Sequence, residues 1–164
     1  MRADDPRLEK GRKEAIERNK KLNALTLAVI RGHLILEQAI DEFLGASLFH
    51  PERVQQSRFQ FLHKAQMCKS LSLHQNDNDI WALVWDGNEL RNKVAHSLSP
   101  DEIKKKMDRV RKVYLDLLTP DQRKGVENDA EDRIAEAAFM LCAGFLATLQ
   151  EDAKSRRRKL IDEQ

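Results

Sequence analysis

The sequence predicts an all-α protein, an up-and-down bundle of five to six helices, and three observations carry that expectation. Apolar residues recur at helical spacing through most of the chain. No segment has the strict alternation, β-branched enrichment or Asn-Gly turns that strands need. Proline and Asx-rich breaks separate the periodic segments, leaving short connections that make neighbouring helices antiparallel. The chain has 164 residues, 41% hydrophobic and 34% charged, a helix-rich composition long enough for one domain with a proper core. One domain over 1–164 is expected, with its core at 22–150, a charged helix at 1–21 and a basic helix end at 151–164.

Residues 1–21 are mostly charged and good helix formers, with Pro6 where a first helical turn tolerates it. From 22 to 48 the pattern turns densely apolar, through Leu25, Val29, Ile30, Leu36, Ile40 and Phe43, which predicts the central buried helix. Gly45 and then His50-Pro51 end it, because a residue preceding proline is steered out of the helical region. Residues 51–74 resume the pattern, with a break near Ser57–Arg58. The run Gln75-Asn76-Asp77-Asn78-Asp79 reads as a loop whose Asx side chains cap a helix at about 79–96. Ser99-Pro100-Asp101-Glu102 starts the next helix, and Thr119-Pro120-Asp121 starts a short turn ended by Gly125. The last helix, about 128–160, carries Ala135, Ala138, Phe139, Cys142, Phe145, Leu146 and Leu149 as its core stripe.

The 29 Lys and Arg nearly cancel the 27 Asp and Glu, for a net charge of +2. Nucleic-acid affinity would therefore depend on how the charge is distributed. Cys68 and Cys142 sit in apolar contexts without CxxC spacing, as buried thiols in a reducing compartment do. The charged N-terminus lacks an apolar signal core. The longest apolar run, Leu27–Ile30 with Ala24 and Leu25, stops at Arg31, far short of the ~20 residues of a membrane span. A cytoplasmic protein that does not enter a membrane is expected.

The stretch Leu90–His96, LRNKVAH, places Arg91, Asn92 and His96 near the end of an apolar helix. Arginine offers a cationic fork for phosphate oxygens, and histidine moves protons near neutral pH. That combination suits RNA-backbone chemistry, although an Arg and a His at a helix end also serve as a capping or salt-bridging pair. On a continuous helix Arg91 and His96 differ by roughly 140° in azimuth. Only Asn92 and His96 share a face. Either the helix unwinds between Arg91 and His96, or two copies across a dimer axis supply both groups to one pocket.

An apolar helix with a polar stripe (LTLAVIRGHLILEQAIDEFL), an intervening helix and then NELRNKVAH together resemble the HEPN superfamily over roughly residues 22–118. The mannitol-repressor-like helical regulators look like distant relatives of the same core. The resemblance implies an all-α bundle, frequent homodimers and, in many members, a metal-independent endoribonuclease with an Arg-x4–6-His motif. On that pattern Arg91, Asn92 and His96 are the catalytic set, no cofactor is needed, and the product is a 2′,3′-cyclic phosphate. His96 would transfer protons, Arg91 would stabilise the phosphorane, and Asn92 would orient His96 or the phosphate. Family analogy also suggests a toxin or defence component with an antitoxin or regulatory partner. The alternative is a non-catalytic helical regulatory or interaction module.

His33, Glu37 and Asp41 follow one another at four-residue spacing on a single helix stripe. As a metal site the set lacks a further clustered ligand, so hydrogen bonding in the core or at an interface is favoured; the HEPN resemblance adds the alternative that Glu37 pairs with Arg91 across the bundle and orients it. Lys104, Lys105, Arg109, Arg156, Arg157 and Arg158 are either solvated helix faces or a nucleic-acid backbone track. Trp81 and Trp85 read as core or dimer-interface aromatics.

Overall fold

The computed structural model describes residues 6–96 and 99–162, and every described regular element is helical. In order they are α1 (Pro6–Ser47), α2 (Pro51–Gln56), α3 (Phe61–Leu71), a 3-10 turn (Leu73–Gln75), α4 (Ile80–His96), α5 (Pro100–Asp116), α6 (Pro120–Val126) and α7 (Glu131–Asp162). Five of these are long, and they form the bundle.

The helix expected at 1–21 and the one expected at 22–48 are a single helix of 42 residues. The change from charged to apolar side chains marks a change of environment, since no proline interrupts α1 after Pro6. Every described side chain from Arg7 to Ala24 is exposed, whereas Leu25, Val29, Leu36, Ile40 and Phe43 are buried. Residues 1–5 of the expected N-terminal helix, and 163–164 of the basic end, lie outside the described residues.

The breaks follow local chemistry. Proline opens α2, α5 and α6. Thr119 and Gln122 cap α6 reciprocally through side chain and backbone. Asn78 caps α4 through its Oδ1, which accepts from the Ile80 N–H at 3.0 Å.

The two long helices lie side by side and run in the same direction. Gly32 of α1 meets Phe139 of α7, and further along Phe49, just past α1, meets Arg157. Packed against both, α4 runs the opposite way, with Gly87 against Phe139 and Trp81 edge-on to Phe145. The Phe139 ring fills a slot that only glycines leave open. A Cβ on Gly32 would lie 2.6 Å from the ring and one on Gly87 3.0 Å from it. Trp81, almost fully buried, satisfies its Nε1–H on the Gln75 carbonyl at 2.8 Å.

Helices α4 and α5 form an antiparallel hairpin joined by three ion pairs in register: Lys93–Glu102, Lys106–Glu89 and Arg109–Asp86. The innermost is the most sheltered, with the Asp86 side chain only 3% exposed and its Oδ2 without a hydrogen-bond partner. Burial raises its pKa above the carboxylate value of 3.8, against the lowering effect of Arg109.

By length and composition α7 could cross a membrane, with a window of mean hydropathy 1.3. The stretch 137–149 of α7 is a longer charge-free apolar run than the expected Leu27–Ile30 with its neighbours, and it too stops short of the ~20 residues of a membrane span. The apolar side of α7 is occupied, with Ala135, Phe139, Cys142 and Leu146 buried in the core, which accounts for that hydropathy.

Candidate active site

Arg91, Asn92 and His96 all lie on the last two turns of α4, which ends at His96. A helical α4 holds Arg91 and His96 on different sides, and they line two separate clefts. Arg91 stands half-buried in a cleft of about 310 Å³ with His33, Glu37, Gln60, Phe61 and Asn88. His96 is exposed and lines a second cleft of about 340 Å³ with Glu89, Lys93 and Lys106. Asn92 is the wall between them and lines both.

The Arg91 guanidinium donates to Asn92 Oδ1 at 3.3 Å. Glu37 shares its cleft, but the two form no ion pair, so the expected orienting pair is replaced by the contact with Asn92. No described carboxylate pairs with Arg91, and neither a hydrogen bond nor an ion pair engages His96 among the described residues. Arg91 is thus bonded only within the motif, and His96 is unengaged among the described residues.

The His33–Glu37–Asp41 stripe is dispersed to separate partners. His33 is buried, donates from Nε2 to Asn88 Oδ1 at 3.3 Å, and stacks on Phe61 at 4.5 Å between ring centroids. Burial lowers its pKa below 6.5, the Asn88 bond opposes that, Arg91 lowers it further and Glu37 opposes again. His33 lies in the floor of the Arg91 cleft, where burial favours its neutral form. Asp41 turns away to Lys64 at 2.8 Å. Among the described residues no group of three or more His, Cys, Asp or Glu could hold a metal ion. Both cysteines are buried, and burial pushes their thiols up to about 12, which leaves them protonated and poor nucleophiles.

The basic residues separate into three groups. Lys104 and Lys105 are exposed on α5, between the rungs Lys93–Glu102 and Lys106–Glu89 and so level with Arg91. Arg109 is committed to Asp86 at 2.7 Å. Arg156, Arg157 and Arg158 are exposed at the far end of α7, more than four turns beyond Phe139, away from the motif. Sequence reasoning missed Asn88, Gln60, Lys93 and Lys106 as cleft residues. Asn88 was within reach of it, four residues before Asn92 on the same stripe.

No protein-family model, curated protein or solved structure matches the chain.

Proposed function

We propose that the chain is a metal-independent endoribonuclease of HEPN type that works as a homodimer in the cytoplasm. The observation that carries this reading is the state of the motif: a half-buried Arg91 with no described carboxylate partner, an exposed His96 at the end of α4, and Asn92 between them. A capping or salt-bridging pair would have used those groups up.

Because the two side chains face different clefts, a single copy does not present both to one phosphate. A second copy facing α4 brings Arg91 of one protomer to the scissile phosphate beside His96 of the other. His96 then accepts the proton of a ribose 2′-OH as its oxygen bonds to phosphorus. Arg91 stabilises the charge developing on the phosphorane oxygens. The P–O5′ bond breaks, and the 5′ oxygen takes a proton from an imidazolium. The products are a 2′,3′-cyclic phosphate and a 5′-hydroxyl. Lys104 and Lys105, level with Arg91, would hold flanking phosphates.

A dimer is supported by the apolar residues that α1 leaves in solvent. Leu27, Leu34 and Ile35 form one stripe, with Leu34 61% exposed, and Leu34 and Glu37 line the shallow depression next to the Arg91 cleft. The same stripe favours the rival class, a non-catalytic repressor-like interaction module. The toxin or defence role, with its antitoxin or regulatory partner, rests on family resemblance.

Cleavage of a single-stranded RNA in the presence of EDTA separates the two classes. His96→Ala and Arg91→Ala are each expected to slow cleavage about 10²- to 10⁴-fold with unchanged circular dichroism. Cleavage absent from the wild type, or unaffected by His96→Ala, would favour the interaction module.

A further inference from the structure

At the end of the bundle remote from the motif, the last turn of α1 and the last turns of α7 leave a pocket of about 270 Å³. Its walls are apolar, from Ala46 and Leu48 on one side to Leu71, Ala153 and Leu160 on the other. Phe49 stands at its mouth, 72% exposed. Large apolar side chains left in water at the rim of a concave hole are costly unless something covers them.

Two further observations indicate what that is. Arg156 and Arg157 line the pocket and pair with no described carboxylate; Arg157 lies over the Phe49 ring, 5.9 Å from its centroid. Ser47 is also in the wall, its Oγ turned out of solvent and without a hydrogen-bond partner. An apolar hole with two guanidinium groups that no described carboxylate pairs complements an apolar chain ending in an anion. The volume lies just under the usual range for small-molecule sites, so it admits one short chain and no multi-ring cofactor.

We propose that this pocket binds a single soluble acyl chain, with its carboxylate held by Arg156 and Arg157. The site is independent of the endoribonuclease reading. Its occupant would sit where α1 and α7 end together.

Three ten-carbon probes with different heads test it: decanoate, decanol and decylammonium, each below its micelle concentration. Binding to the full chain is read by calorimetry and by NMR shifts of the Ala46 and Ala153 methyl groups. Decanoate is expected to bind tightest. Arg156→Glu with Arg157→Glu, both on exposed side chains, is expected to weaken decanoate about tenfold or more and to favour decylammonium. Ala153→Trp, which fills the hole, is expected to abolish binding of all three. Equal affinity for decanoate and decanol, retention of decanoate by the double Glu variant, or no shift of either methyl would each overturn the proposal. So would binding to phosphatidylglycerol vesicles with none to dissolved decanoate, which would make the patch a membrane contact.

Discussion

His33 sits where burial and chemistry meet, and it has a measurable consequence for stability. Its folded pKa lies below the ordinary 6.5, chiefly through burial. The unfolded chain therefore takes up a proton at a higher pH than the native one. The stability contributed by a neutral His33 is complete above pH 6.5 and declines as the pH falls from there toward the lowered native value. Denaturant unfolding at pH 7.5 and pH 5.5 should show wild-type stability dropping between the two, with a smaller drop for His33→Gln. An equal drop in both would assign the acid sensitivity to other groups. The Arg91–Asn92–His96 motif differs in how much of it was legible. The 140° offset of Arg91 from His96 follows from counting residues, and the two clefts reflect it. That Arg91 would bond to Asn92 rather than Glu37 depends on how far α1 stands from α4, which no spacing within one helix encodes.

At the scale of elements, the contact of α1, α4 and α7 is organised by a ring between two glycines. Gly32→Ala drives a methyl into Phe139 at 2.6 Å, and overpacking of that kind costs about 1–3 kcal/mol. Gly87→Ala, at 3.0 Å from the ring edge, should cost less. Thermal unfolding of the two variants checks the order. The α4–α5 hairpin has its own test. Arg109→Ala leaves the Asp86 carboxylate buried without its cation, a loss of about 1–3 kcal/mol, moderated because the Arg109 side chain is largely in water. Much of this level was readable in advance: Pro51, Pro100 and Pro120 open helices where the sequence places them. The ion-pair ladder left a signal too. Asp86, Glu89 and Lys93 recur at the same spacing as Glu102, Lys106 and Arg109, with complementary charges in reverse order. The slot around Phe139 left none, because Gly32 and Phe139 are separated by more than a hundred residues.

Over the whole molecule, the bundle places two features at opposite ends. The motif lies toward the end where α4 finishes, and the acyl pocket lies where α1 and α7 finish. The all-α class was legible because periodicity and breakers extend along the entire chain. The continuity of α1 was not, because a shift from charged to apolar residues resembles a boundary even where nothing breaks the helix. The exposed Leu27–Leu34–Ile35 stripe beside the Arg91 cleft connects fold to function, since a reaction needing both Arg91 and His96 at one phosphate requires a second copy. The most direct measurement is subunit complementation, in which Arg91→Ala and His96→Ala proteins, each inactive alone, are mixed in equal amounts, exchanged and assayed for RNA cleavage. If each site takes Arg91 from one protomer and His96 from the other, half the dimers are mixed and each holds one intact site. Activity then recovers to about a quarter of wild type. A mixture as inactive as its two components, from subunits shown to have exchanged, would contradict the composite site.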